Sequence, residues 1–353
     1  MFNKYSNVLN MIVLGIETSC DETSVAIIEQ KKTNDFGHVL AENTLSQIKK
    51  HSKFGGIVPE LASREHENTL NLLTKKTIKE AKINLKKIDA FAATTGPGLL
   101  GGLLIGSNYA KTLSLVNNKP FISVNHLQGH ILVSRMKKKI NFPFLSLLLS
   151  GGHTQLLVAK DYNKYEIIGE TLDDALGEAF DKTAKSLDYG YPGGPIIEKL
   201  ASEEKSSNFF KLPKPLINSK NLDFSFSGLK TSIRRITEKP LNKSLKSKLA
   251  NEFQECVTDI LLTKSEKAIK MIKKKMKLNT FVLAGGVASN KFIREKFSSL
   301  CKKYSIEFFV PEKKLCVDNA IMIAWAGIER LNKYKKSDSF DTHPKPRWSL
   351  ENL

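Results

Sequence analysis

Two histidines stand four residues apart in "VNHLQGHI" (124–131). On a helix, His126 and His130 share a face with their Cβ atoms about 5–6 Å apart. That spacing suits two imidazoles on one cation. Leu127 follows His126, so the stretch is not the H-E-x-x-H of a zinc protease and lacks that motif's glutamate base. Two imidazoles are too few for a metal, and a distant carboxylate has to complete the set. Asp318, in "CVDNA" at the mouth of the last helix, is the best candidate. The plainer alternatives are a solvated histidine pair and an aspartate that caps a helix. Spacing alone leaves both open.

Carboxylates crowd "GETLDDALGEAFDKTAKSLDYGYPGGP" (169–195). Asp174, Glu178 and Asp181 recur at i, i+4 and i+7, one acidic stripe if the segment is helical. Apolar Ala179, Phe180 and Ala184 around Asp181 set that helix against a core, and "YPGGP" ends it in a rigid turn whose backbone N–H could meet a ligand. Three glycine-rich turns follow apolar runs: "TTGPGLLGG" (94–102), "SGGHT" (150–154) and "AGGVASN" (284–290). Such turns let backbone amides approach a phosphate, because no Cβ intervenes. None is a P-loop or a G-x-G-x-x-G fingerprint. Each alone is equally a tight corner, and Asn290 is either a ribose or base contact or a helix cap.

The elements that position these residues alternate. "MIVLGI" (11–16) and "FLSLLL" (144–149) are buried-strand runs, each followed by a small-residue turn and a second strand. Similar hairpins about 135 residues apart suggest a duplicated α/β domain. Residues 65–81 and 319–331 carry a helical apolar rhythm, residues 120–126 read as a strand, and 88–106 and 280–290 read as strand, turn and helix start. The polar, proline-containing stretch 203–232 reads as an insertion loop. "KKKMK" (273–277) reads as the wet face of a helix.

Bulk properties narrow the function class. A chain of 353 residues suggests two domains of roughly 150 residues each. No apolar run reaches the ~18–20 residues of a membrane helix. The first ten residues lack a secretory signal and read as an extension ahead of the first strand, which places the protein in the cytoplasm. Cys20, Cys256, Cys301 and Cys316 form no C-x-x-C pair and read as reduced thiols. A net charge of +19 points to a polyanion, although lysine excess is also the mark of AT-rich coding.

Nine segments together resemble one family, the tRNA threonylcarbamoyladenosine synthases of the TsaD type, once called O-sialoglycoprotein endopeptidases. They are "GIETSCDETSVAI", "GGIVPELASREHE", "TTGPGLLGGLLIG", "NHLQGH", "LLSGGHTQL", the 169–195 stretch, "DFSFSGLKTSI", "LAGGVASN" and "CVDNAIMIAWAG", in family order over nearly the whole chain. The resemblance implies the actin-like ATPase architecture, with two related α/β domains around a nucleotide and metal cleft. The N-terminal domain would span 11–130, completed by a C-terminal helix at about 317–345. The other would span 131–316, with the insertion at about 203–232.

The resemblance also implies an activity. Threonylcarbamoyl-AMP gives its threonylcarbamoyl group to N6 of adenosine 37 in tRNAs that read ANN codons, and AMP leaves. His126, His130 and Asp318 would hold one divalent ion, iron(II) first and zinc second. Substrate contacts would fall on Leu148, Leu149, Ser150, Gly151, Gly152, Asp181, Gly194, Glu198 and Asn290, and Asp21 would act near the reacting centre. Expected partners are tRNA and either a paralogous actin-like subunit with a small P-loop ATPase (the TsaB and TsaE types) or a second copy of the chain; a membrane is not among them. Two departures stand out. Gln128 replaces the usual glutamate of H-x-E-G-H, and Asn125 stands where some relatives carry a histidine. The competing readings are a metal-dependent protease, a non-catalytic actin-like scaffold and a sugar kinase of the same architecture.

Overall fold

Uninterrupted apolar runs make strands that can be buried on both faces, and here they build two sheets. The computed structural model describes residues 10–32, 36–204 and 208–353. The expected N-terminal extension (1–10) lies outside the described residues except for Asn10. The chain divides into two compact units. Unit 1 holds residues 1–140, 162–164 and 317–353, and unit 2 holds 141–161 and 165–316.

In unit 1 the strands are β1 (Met11–Glu17), β2 (Glu22–Gln30), β3 (His38–Ser46), β4 (Ala90–Gly96) and β5 (Phe121–Asn125). Their order is β3-β2-β1-β4-β5, with β1 antiparallel to β2 and parallel to β4. In unit 2 they are β6 (Phe144–Leu149), β7 (Thr154–Asp161), β8 (Lys164–Glu170), β9 (Thr280–Ala284) and β10 (Glu307–Phe309), in the order β10-β9-β6-β7-β8. Here β6 is antiparallel to β7 and parallel to β9. Read from the opposite edge, the second order repeats the first strand for strand. The two hairpins seen in the sequence are therefore the matching β1–β2 and β6–β7 pairs of a duplicated sheet.

Each sheet has its own core. Leu14, Ile16, Val25, Ile27, Phe91 and Phe121 pack in unit 1 under the Pro59–Glu80 and Leu100–Asn117 helices. Leu145, Leu147, Phe180, Phe253, Phe281 and Phe297 pack in unit 2 around the 31-residue Lys243–Lys273 helix. No helix among the described residues is long and apolar enough to cross a membrane.

Several expectations change. The Lys243–Lys273 helix ends on Lys273, so most of the 273–277 run lies past its end in an exposed turn rather than along a helix face. The helix expected around Asp181 begins at Leu176, leaving Asp174 ahead of it. The acidic stripe is not a free solvated face either: the Lys182 ammonium lies 2.7 Å from both Asp174 and Glu178. The 203–232 insertion is irregular only in part, since a helix starts at Ser227. Its described loop is tied down by Lys264, which donates to Ser219 Oγ and Asn221 O, and by Lys267, which donates to Ile217 O and Ser219 O.

Candidate metal centre and nucleotide turns

His126 opens a short helix (His126–Leu132) directly after β5, and His130 lies one turn on. Their rings stand edge to face, with centroids 4.8 Å apart. Asp318 stands just before Asn319, the cap of the Ala320–Tyr334 helix in the same unit. Its Oδ1 lies 3.0 Å from His130 Nε2 and 3.4 Å from His126 Nε2. The capping alternative fails for Asp318, because the neighbouring Asn319 does that work by accepting from Met322 N at 3.0 Å. The solvated-pair alternative fails too, since both histidines are buried.

A fourth residue, which the motif reading missed, organises the cluster. Glu17 ends β1 as a fully buried carboxylate and lies 3.0 Å from His126 Nδ1. It also accepts from Ser19 N and Thr94 Oγ1. Ser19 Oγ lies 3.1 Å from the same ring nitrogen. The one available signal was a glutamate closing an otherwise apolar buried strand.

Burial pulls the His126 imidazole down, but the carboxylates of Asp318 and Glu17 outweigh it and hold the ring well above the usual histidine range. Burial likewise pushes Asp318 and Glu17 up, and the attraction of His126 overcomes it in both. Two carboxylates around this pocket thus demand positive charge. One ligand atom from each of His126, His130 and Asp318 lies within 4.8 Å of the others, a donor set that fits one divalent ion with three protein ligands. His130 Nδ1, buried and unpartnered among the described residues, leaves Nε2 as the atom aimed at Asp318.

Cys20 and Asp21 lie in the turn between β1 and β2, and Glu22 opens β2. Burial raises the Cys20 thiol, and the nearby Asp318 and Asp21 carboxylates raise it further. Burial and the same two carboxylates hold the Glu22 carboxyl well up. Asp21 is buried, and its Oδ2 has no hydrogen-bond partner among the described residues.

In unit 2 the residues expected to contact substrate join in a ring of contacts. Leu148 and Leu149 end β6, and Ser150, Gly151 and Gly152 form the turn into β7. Ser150 O accepts from Gly177 N, at the start of the Leu176–Ser186 helix. One turn further, Asp181 accepts from Gly193 N at 2.6 Å, where the Gly193–Ser202 helix begins beside Gly194. Glu198 on that helix accepts from Lys291 N at 2.8 Å. Asn290 accepts from Ile293 N and donates to Gln254, so its side chain is a helix cap. The ring closes at Gly285, whose backbone lies against Leu149 O. Gly151, Gly152, Gly194 and Gly286 have open space where a Cβ would sit.

A family model of tRNA N6-adenosine threonylcarbamoyltransferases (TsaD) matches residues 38–325. The chain belongs to this family. A relative of that name from Wolbachia pipientis wMel is 47% identical over 341 residues, covering 96% of this chain and 98% of its own. One from Ehrlichia ruminantium (strain Gardel) is 48% identical over 351 residues, 99% of this chain and 98% of its own. Among solved structures, full-length HypF in its phosphate- and nucleotide-bound form aligns with a TM-score of 0.60 at 14% identity, over 94% of this chain and 48% of that one. Component A of (R)-2-hydroxyglutaryl-CoA dehydratase from Acidaminococcus fermentans gives 0.50 at 12% identity, over 89% and 96%. At such identities the likeness is one of fold, the actin-like ATPase type. The TsaD chain is accordingly an acyltransferase that modifies tRNA. One departure from the TsaD pattern now has a structural setting: the Gln128 amide donates to Tyr162 O at 2.6 Å, a bond a glutamate carboxylate cannot make.

Proposed function

We propose that the chain transfers the threonylcarbamoyl group of threonylcarbamoyl-AMP to N6 of adenosine 37 in tRNAs that read ANN codons, releasing AMP. The adenine N6 attacks the carbamoyl carbon of the mixed anhydride. The new C–N bond forms as the C–O bond to phosphate breaks, and AMP leaves with that oxygen. The N6 proton passes to the Asp21 carboxylate. The convergence of His126, His130 and Asp318, braced by Glu17, is the observation that carries this reading.

The donor is already activated, so no serine or cysteine nucleophile is needed. An adenine amine is a weak nucleophile, and positioning has to supply much of the rate. Ser150 N closes the turn by donating to His153 O at 2.8 Å, and the amides of Gly151 and Gly152 beside it hold the AMP phosphate and take up its developing charge. Leu148, Leu149, Asp181, Gly194, Glu198 and Asn290 surround the nucleotide, with Asn290 acting through its backbone and the turn it caps. The unpartnered Asp21 Oδ2 supports its role as proton acceptor. His126, His130 and Asp318 hold one ion, iron(II) in first place and zinc in second, which when bound supplies a Lewis acid for substrate oxygens. The reading places the protein in the cytoplasm, working with a paralogous actin-like subunit and a small P-loop ATPase, or as a homodimer. The net charge of +19 suits the phosphate contacts of tRNA.

The test is direct. The purified chain is assayed for metal, then incubated with threonylcarbamoyl-AMP and tRNA, with and without the added subunits, and tRNA nucleosides are measured by mass spectrometry. Threonylcarbamoyladenosine that disappears in His126→Ala and Asp318→Asn supports the proposal. No transfer under any subunit combination, or full transfer by the two variants, overturns it.

A further inference from the structure

Near its C-terminal end the chain meets the residue that caps the histidine helix, through Asn125 Nδ2 and Trp348 O. Residues 338–353 run along β5 and then across the end of β4 within unit 1. Asp338 is bonded to β5 through Phe121 O and Ser123 N, and Arg330 holds both Asp338 and Ser123 O. Lys111 donates to Thr342 O at 2.6 Å. Lys345 N donates to Thr95 O at 2.7 Å, and Gly98 N donates to Pro346 O at 3.2 Å. Gly96 permits this approach, because a Cβ there would sit 2.0 Å from Lys345 O. Leu350 is fully buried, and the Lys345 ammonium lies 4.9 Å over the Trp348 ring.

The tail then reaches Asn125. Asn125 Nδ2 donates to Trp348 O at 3.0 Å. The other end of the same amide caps the histidine helix: Asn125 Oδ1 accepts from Leu127 N at 3.0 Å and Gln128 N at 3.2 Å. That helix is only seven residues long, so its first turn depends on its cap rather than on its own length. His126 is in that turn. One amide thus couples the backbone of the tail to the direction in which His126 points.

We propose that residues 338–353 are a positioning strap for the metal centre, acting through Trp348 and Asn125. Asn125 is a positioning residue and touches no ion itself. The proposal rests on the metal reading above, but its mechanical part does not require the ion.

Three full-length variants test it: Asn125→Ser, which keeps a capping oxygen but cannot also reach Trp348 O; Trp348→Ala, which loosens the turn presenting that carbonyl; and the double variant. Zinc affinity is read by competition with a chromophoric chelator. Peptide-level hydrogen exchange over 126–132 is read on metal-free protein, and circular dichroism confirms folding. Each single variant is expected to bind zinc about 10-fold more weakly, as for other residues that orient metal ligands. Exchange at 126–132 should quicken in both, and the double variant should be no worse than either single one. Wild-type affinity and exchange in both single variants, or effects that multiply in the double variant, overturn the strap. A wild-type chain that binds no zinc or iron overturns the metal reading instead, and the exchange data still decide the strap.

Discussion

Glu17 Oε2 lies 3.0 Å from His126 Nδ1 and fixes which ring nitrogen is left for Asp318. Glu17 is fully buried, at the end of β1, and 109 residues separate it from its partner. A carboxylate so placed orients the ring and raises its basicity as a ligand, as in many metal sites.

Glu17→Gln should remove the charge and, with its oxygen toward Nδ1–H, keep the ring orientation, while its NH2 group gives up the bond from Ser19 N. Zinc or iron affinity should fall about 10- to 100-fold. Competition with a chromophoric chelator measures it, and an affinity equal to wild type would refute the role given to Glu17. Glu17→Ala should also destabilise the fold, because Thr94 Oγ1 and Ser19 N lose their buried acceptor, at about 1–3 kcal/mol for each group left unpaired.

Gln128→Glu installs the residue the family pattern carries, in a site built here for an amide. Gln128 is 4% exposed, and its Nε2 donates to Tyr162 O. A carboxylate there loses the donor and faces a carbonyl oxygen, at a cost of about 2–3 kcal/mol. Burial holds such a carboxyl in its protonated form more readily than in water, and the protonated form can donate to Tyr162 O. The loss should thus be large at pH 8 and shrink on acidification. Thermal unfolding midpoints at pH 5 and pH 8 measure this, and equal losses at both would contradict it.

Much of this was legible beforehand, and the reasons are local. "MIVLGI" and "FLSLLL" carry no polar interruption, so they read as buried strands, and their small-residue turns read as hairpins. His126 and His130 share a motif, and Asp318 stands beside a recognisable helix start. What stayed hidden depends on distant pairing. Nothing in the residues around Asn125 shows that its amide meets Trp348 O, 223 residues away. Asn290 shows the converse. Its helix-cap position was readable from its neighbours, but the bond to Gln254 that fills its second valence comes from another helix. The acidic stripe holds only if a helix period runs through Asp174, and Asp174 lies before the helix begins.

Asp173 gives a pH-dependent prediction. It accepts from Phe226 N at 2.8 Å and Ser227 N at 3.2 Å, and from the Ser225 and Ser227 hydroxyls. Burial pushes its carboxyl up, but those donors outweigh burial and hold it below its ordinary value of 3.8. A lowered folded value means stability present above the unfolded value and lost as pH falls through the folded one. Asp173→Asn should remove about 1–2 kcal/mol at pH 7, the scale of a lost charged helix cap. The gap between variant and wild type should narrow as pH falls below the ordinary aspartate value of 3.8 and wild-type Asp173 also becomes protonated. Urea midpoints from pH 2.5 to pH 7 check it, and a gap independent of pH would rule out the charge as the cause.

Gly285 tests the nucleotide turn. Its φ is +86°, and a Cβ there would lie 2.4 Å from Leu149 O. Both the backbone angle and the close approach exclude a side chain, so alanine has to push β9 away from the end of β6 or force the turn to another conformation. Strain of this kind costs about 1–3 kcal/mol. By contrast, Gly286 has open space around its Cβ position and an unstrained φ, so Gly286→Ala should be nearly neutral for stability. AMP binding separates the two effects. If the turn holds AMP as proposed, Gly285→Ala should lose most AMP affinity by calorimetry, because the displaced Leu149 carries the Gly151 and Gly152 amides with it, and its unfolding midpoint should fall by several degrees. If Gly285→Ala instead binds AMP as wild type does, the contact between Leu149 and Gly285 does not set the position of those amides.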